Sequence, residues 1–119
     1  MAFDTSLLDK SLARRRAARE ATRQAMLAAV VRLLGELSPR YGFRRAYIFG
    51  SVTQPGHFTE QSDVDIAVEP MEPAHFFAAM SALAEALGRE VDLVELNKCH
   101  FAHRIRERGI EWIATPSSS

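Results

Sequence analysis

The sequence predicts one α/β domain, a small mixed sheet flanked by helices, that carries a helical extension at its N-terminus. The order of predicted elements is α, β, β, α, β, α, with a possible last strand, and no internal repeat is visible. The chain has 119 residues, a length typical of a single domain. Hydrophobic residues make up 47% and charged residues 25%, which argues against disordered and low-complexity proteins.

The N-terminal extension, residues 1–38, has helical composition. After a cap at residues 4–6, the sequence has no proline up to residue 38 and is rich in Ala, Leu, Arg, Glu and Gln. An apolar stripe predicts that the second half packs on a core; it consists of Met26, Val30, Leu33 or Leu34, and Leu37. The first half has only Leu7, Leu8 and Leu12 and is predicted to project as an arm. Pro39 is predicted to end the helix at Ser38.

The remaining elements are predicted within residues 39–114. Strands are expected at 45–49, 63–68 and 91–96, and helices at 74–87 and 102–108. The last apolar segment covers 110–114, and the tail at 115–119 is predicted to be disordered. Three aromatic residues, Phe76, Phe77 and Trp112, are predicted to lie in the core.

The net charge of zero conceals a strong asymmetry along the chain. Residues 1–46 hold 10 basic and 4 acidic residues, whereas residues 47–119 hold 5 basic and 11 acidic residues. A basic arm can dock on an acidic partner, bind nucleic acid through phosphates, or simply keep a helix hydrated. Nucleic-acid binding is the less favoured reading, since the arm has no recognition motif or interleaved aromatic residue and the rest of the chain is acidic.

Other classes of protein are disfavoured by what the sequence lacks. The single cysteine, Cys99, has no internal disulfide partner, and the N-terminus has no secretory signal pattern, so we expect a cytoplasmic protein. No apolar run is long enough to span a membrane. Cys99, His100 and His103 fall short of the four ligands that a structural zinc site needs, and ordinary surface or packing roles are expected for them.

Three aspartates in strand-like segments are the candidate catalytic residues. Asp63 and Asp65 are two residues apart and therefore point to the same face of a strand, about 6.6 Å apart. Asp92 lies in the next predicted strand, although aspartate is disfavoured in strands. Paired carboxylates suit Mg²⁺, which binds hard oxygen ligands together with substrate phosphates. We expect Asp63 and Asp65 to bind metal ions, and Asp92 to complete a second metal site and help deprotonate an attacking hydroxyl.

The Gly50-Ser51 pair follows the first predicted strand and is the candidate phosphate-binding element. Glycine permits close approach of a phosphate, and a serine hydroxyl with neighbouring backbone N–H groups supplies donors to its oxygens. The sequence offers Lys98, Arg44 or Arg45 as sources of additional positive charge. Together with the aspartates this arrangement predicts phosphoryl or nucleotidyl transfer.

The pattern Phe49-Gly50-Ser51, then Ser62-Asp63-Val64-Asp65, then Val91-Asp92-Leu93 resembles the minimal nucleotidyltransferases of the DNA polymerase beta-like superfamily. The resemblance covers about residues 40–114. It implies the polymerase beta-like nucleotidyltransferase fold, two Mg²⁺ ions on the three aspartates, phosphates on Gly50 and Ser51, and ATP as co-substrate.

The resemblance also implies a partner. Minimal nucleotidyltransferases commonly resemble antitoxins paired with a HEPN ribonuclease toxin, and the implied reaction is transfer of AMP to a tyrosine hydroxyl of that toxin. The alternative is a non-catalytic module of the same fold that neutralises its partner by occlusion. The N-terminal helix is expected either to contact the partner or to support self-association.

Overall fold

A computed structural model describes residues 4–116 of the chain. The elements, in chain order, are α1 (Ser6–Tyr41), β1 (Arg45–Phe49), a 3₁₀ turn (Gly50–Thr53), β2 (Val64–Glu69), α2 (Pro73–Leu87), β3 (Val91–Glu95), a second 3₁₀ turn (Leu96–Lys98), α3 (Ala102–Arg108) and β4 (Ile110–Ile113). The predicted element order is therefore confirmed, including the last strand. No helix within residues 4–116 combines the length and the apolar character needed to cross a bilayer.

The end of α1 differs from the prediction, because the helix runs through Pro39 to Tyr41. A proline in the last turn removes only one late hydrogen bond of the helix. Two contacts hold the chain beyond it: the Gly42 N–H donates to the Ser38 carbonyl at 2.8 Å, and the buried Ser38 hydroxyl donates to the Phe43 carbonyl at 2.5 Å. Gly42 adopts the left-handed conformation that closes many helices. The predicted stop at Ser38 was wrong for this reason.

The sheet has four strands in the order β3-β2-β1-β4. The inner strand β1 is antiparallel to both β2 and β4, whereas β2 and β3 are parallel and are joined through α2. One face of the sheet packs on α1 and α2 and forms the larger core, which includes Val30, Leu34, Ile48, Ile66 and Leu83. The opposite face forms a smaller cluster of Tyr47, Ala67, Leu96 and Ile105, the last of these from α3.

The first half of α1 leaves the body of the protein as an arm, as predicted. Leu7 and Leu8 are 79% and 60% exposed, and Arg23 is the first residue of the helix that is buried. The radius of gyration is 17.5 Å, well above the roughly 13.5 Å expected of a compact chain of this length. We define the arm as residues 6–22, about 25 Å of helix at 1.5 Å per residue.

Two predictions about aromatic residues are confirmed in part and one is wrong. Trp112 and Phe76 are half-buried and pack against the larger core, and Trp112 meets Phe43 edge to face. Phe77 is instead 70% exposed, because α2 turns that position away from the sheet. Of the predicted disordered tail, residues 115 and 116 have no regular structure, and residues 117–119 lie outside the described part of the chain.

Candidate active site

The topology of the sheet brings the predicted site residues to one end of three adjacent strands. Because β1 is antiparallel to β2, its last residue, Phe49, lies opposite Asp65 near the start of β2. Because β2 and β3 are parallel and in register, Asp65 lies opposite Asp92. Neighbouring strands are about 4.8 Å apart, so the two aspartate backbones are close neighbours. Asp63 immediately precedes β2, and Gly50-Ser51 immediately follows β1.

Asp65 is the most strongly perturbed carboxyl group at this end of the sheet. It is half-buried, while Asp63 and Asp92 are exposed. Desolvation by burial, followed by the negative charges of Asp92 and Asp63, raises the pKa of Asp65 to about 6. Burial and like charges both disfavour the ionised form. The three carboxylates therefore repel one another, and uncompensated negative charge is concentrated at this end of the sheet.

Gly50 is required at its position by two independent features. Its φ is +76°, a conformation that side chains with a Cβ rarely adopt. A Cβ added there would also lie 2.2 Å from Oδ2 of Asp65, so any side chain would displace the carboxylate. The backbone of the 3₁₀ turn thus lies directly beside the Asp65 carboxylate, and Ser51, which is half-buried, follows within the same turn. Candidate phosphate-binding and metal-binding residues are adjacent.

The segment between the turn and Asp63 is held by contacts that sequence reasoning missed. Phe58 is 4% exposed, and the Arg89 guanidinium lies over its ring at 4.4 Å. Arg89 also donates to the carbonyls of Thr59 and Ser62 at 2.8 and 2.7 Å. A single arginine near the start of β3 therefore anchors the residues that lead into Asp63. In the sequence Arg89 looks like any other charged surface residue, so sequence reasoning had no signal for this role.

The donor set fits a divalent metal ion by its chemistry. Three carboxylates supply the hard oxygen ligands that Mg²⁺ prefers, and the raised pKa of Asp65 marks charge that a cation would neutralise. Within residues 4–116, no group of three or more His, Cys, Asp or Glu side chains converges on one metal position. Side-chain rotation would therefore be needed to bring Asp63, Asp65 and Asp92 onto shared ions.

The positive charge near the turn comes from residues that the sequence analysis did not select. A cavity of about 400 Å³ is bordered by Gly50 of the turn and by Arg104 and Arg108 of α3. These arginines are four residues apart and share one helix face. That spacing is visible in the sequence and could have identified them as a source of positive charge. The three expected residues lie elsewhere: Lys98 pairs with Glu95 at 3.2 Å, and Arg44 and Arg45 line a cavity at the far end of β1.

Comparison with known proteins identifies the family. The sequence model described as "Polymerase beta, Nucleotidyltransferase" matches residues 36–115. The chain belongs to this nucleotidyltransferase family. Both the predicted family and the predicted polymerase beta-like nucleotidyltransferase fold are therefore confirmed. The match begins near the end of α1, so the arm of this nucleotidyltransferase lies outside the matched region.

Solved structures similar to this nucleotidyltransferase include complexes of two proteins. A crystal structure of a toxin–antitoxin with AMP-PNP has 28% sequence identity and a TM-score of 0.58, covering 75% of this chain and 73% of that chain. The toxin–antitoxin MntA-HepT has 25% identity and a TM-score of 0.54, covering 77% and 73%. A structure described as a minimal nucleotidyltransferase has 26% identity and a TM-score of 0.54, covering 80% and 93%. No curated protein matches the chain.

Proposed function

We propose that this nucleotidyltransferase transfers AMP from ATP to a hydroxyl group, most simply a tyrosine, of a partner protein, and thereby acts as the antitoxin to a HEPN ribonuclease toxin. The observation that carries the proposal is the juxtaposition of Gly50, Asp65 and Asp92, with the Asp65 carboxylate against the backbone of the turn. The similar structures support it, since one contains AMP-PNP and several are toxin–antitoxin complexes. We place the reaction in the cytoplasm.

The proposed reaction assigns one task to each group of residues. Asp63, Asp65 and Asp92 hold two Mg²⁺ ions, which supply charge neutralisation for the triphosphate when bound. The Ser51 hydroxyl and the N–H groups of the turn bind phosphate oxygens, and Arg104 and Arg108 add positive charge beside the turn. The partner's hydroxyl oxygen bonds to the α-phosphorus, the bond to the bridging oxygen breaks, and pyrophosphate leaves.

The proton of the attacking hydroxyl goes to Asp92 in this proposal. A tyrosine hydroxyl has a pKa near 10 and is a weak nucleophile at neutral pH, so a nearby base accelerates its attack. Asp92 is exposed at the edge strand, which leaves it accessible to a second protein. Asp65 is less suitable for this task, because it is partly buried against the turn.

Radiolabelled ATP tests donor, metal site and acceptor together. The purified chain is incubated with Mg²⁺, lysate of its native host, and ATP labelled at either the α- or the γ-phosphate. The double variant Asp63→Asn/Asp65→Asn removes the site, and Glu107→Gln, an exposed acid on α3, is the matched control. We expect a host protein labelled only from α-labelled ATP, by the wild type and the control, and mass spectrometry identifies the modified residue.

Neutralisation by occlusion is the second candidate function. The exposed leucines of the arm favour it, because they offer a binding surface that does not depend on the aspartates. If no protein is labelled, and the double variant captures the same partner and suppresses its ribonuclease activity as well as the wild type does, AMP transfer is refuted and occlusion explains the antitoxin role.

A further inference from the structure

Arg23 is the one charged residue among residues 4–116 that is buried. It is 8% exposed and lies in α1 where the arm meets the body. Burying a guanidinium is unfavourable unless its N–H donors are hydrogen-bonded. The hydrogen-bond partners of Arg23 therefore indicate the role of this buried side chain. Arg23 lies outside the region matched by the family model, which begins at residue 36.

The Arg23 guanidinium joins the arm to the 3₁₀ turn. Its Nε donates to Oε2 of Glu20 at 2.9 Å, and its Nη2 contacts the other carboxylate oxygen, so the pair is bidentate. Its Nη1 donates to the carbonyl oxygen of Val52 at 3.1 Å. Val52 is fully buried and lies in the turn that begins with Gly50 and Ser51. All three hydrogen bonds therefore end on protein groups.

The hydrogen bond to Val52 fixes part of the turn. The carbonyl of Val52 and the N–H of Thr53 belong to one planar peptide group, so holding the oxygen also orients the N–H. A second contact acts within the turn, where the Thr53 hydroxyl donates to the Gly50 carbonyl at 2.7 Å. Glu20 orients the guanidinium in turn, and its hydrogen bonds with Arg23 and Gln24 lower the pKa of Glu20 to about 2. Glu20 therefore stays ionised in mildly acidic solution as well as at neutral pH.

We propose that Arg23 is a positioning residue that holds the Gly50–Thr53 turn in the conformation that binds the triphosphate of the nucleotide. Arg23 acts through the Val52 carbonyl and does not touch the nucleotide. This inference rests on the proposed function, since it assumes that the turn binds phosphates. Because Arg23 is the first buried residue of α1 and bonds both to Glu20 of the arm and to Val52 of the turn, it also links the arm to the site.

Nucleotide binding by three variants tests the inference. Arg23→Gln removes the ion pair and the charge, Arg23→Lys retains the charge with a single donor group, and Arg15→Gln, at an exposed arginine of the arm, is the matched control. Calorimetry at 15 °C measures the affinity for a non-hydrolysable ATP analogue with Mg²⁺ and for inorganic triphosphate. We expect Arg23→Gln to weaken both about tenfold, Arg23→Lys to weaken them less, and Arg15→Gln to match the wild type.

Amide spectra separate positioning from a loss of folding. In ¹H–¹⁵N spectra of Arg23→Gln without nucleotide, we expect shift changes centred on residues 50–53 and on the neighbours of Arg23, with the rest of the spectrum retained. If the wild type binds the analogue and folded Arg23→Gln binds it within twofold, the inference is overturned while the proposed function stands. If Arg23→Gln does not fold, Arg23→Lys is used instead: we expect it to weaken the binding of both ligands about threefold, and an affinity equal to that of the wild type would overturn the inference. If the wild type binds neither ligand, the proposed function fails and the inference fails with it.

Discussion

Replacing Asp65 by asparagine should stabilise the protein at neutral and alkaline pH while removing its proposed activity. The unfolded chain titrates Asp65 near 3.8, whereas the folded chain titrates it at about 6. Between these values the folded state binds more protons than the unfolded state, so the free energy of unfolding falls as the pH rises. The penalty is absent below about pH 4, grows from there to about pH 6, and is fully present above it.

The size of the effect follows from the shift of about two pKa units. At 1.36 kcal/mol per unit, the ionised carboxylate costs at most about 3 kcal/mol. Since Asp65 is only partly buried and solvent screens the charges of its neighbours, we expect about half of that, about 1–1.5 kcal/mol. For a chain of this length the gain is an increase of about 4–6 °C in the midpoint of thermal unfolding.

Circular dichroism measures this effect directly. Thermal and urea unfolding of the wild type and of Asp65→Asn are compared at pH 8 and at pH 4 in EDTA, with Glu107→Gln as a control at an exposed carboxylate. We expect Asp65→Asn to be the more stable protein at pH 8 and the difference to shrink toward pH 4. Added Mg²⁺ should stabilise the wild type and Glu107→Gln but not Asp65→Asn. The reasoning is refuted if Asp65→Asn is equally destabilised at both pH values, because the carboxylate would then contribute favourable contacts.

Two further substitutions and one deletion have defined outcomes. Gly50→Ala should lower stability by about 2 kcal/mol and abolish binding of the Mg²⁺–ATP analogue, as measured by calorimetry. The control Gly56→Ala has a similar positive φ with open space around it, so it should show only the backbone strain, about 1 kcal/mol, and should bind the analogue normally. Phe58→Ala should cost about 3 kcal/mol in urea unfolding, against less than about 0.5 kcal/mol for exposed Phe77→Ala; equal costs would contradict the described packing. Deleting residues 1–16 should leave the unfolding midpoint within about 2 °C but weaken capture of the partner, and unchanged capture would exclude the arm from that contact.

Periodicity was sufficient to predict the elements of the sheet, because alternation places Val64, Ile66 and Val68 in the core and leaves Asp65 on the other face. The motif residues were also predictable, since glycine and aspartate in strand-like sequence are costly unless a site uses them. What sequence could not supply were contacts across long separations. Neither the Arg23 bond to Val52 nor the Arg89 contact with Phe58 leaves a periodic signal.

The end of α1 shows a second limit of sequence reasoning. Proline disfavours the helical conformation at the residue before it, here Ser38. The helix nevertheless continues, because Ser38 is buried and two hydrogen bonds hold the backbone just after the proline. Hydrogen bonds of about 1 kcal/mol each are enough to override such a preference. The exposure of Phe77 has a similar origin, since its hydrophobic character alone does not say which side of α2 meets the sheet.

The parallel pairing of β2 with β3 makes the candidate site a sensitive reporter of cooperative folding. Asp65 and Asp92 are 27 residues apart in the chain and become neighbours only after α2 has crossed over and the edge strand has docked. Local opening of β3, which has a sheet neighbour on one side only, separates them without disturbing β1 or β4. Nucleotide-dependent activity should therefore be lost at or before the temperature at which the helical signal begins to fall, and a partly folded chain should retain none of it.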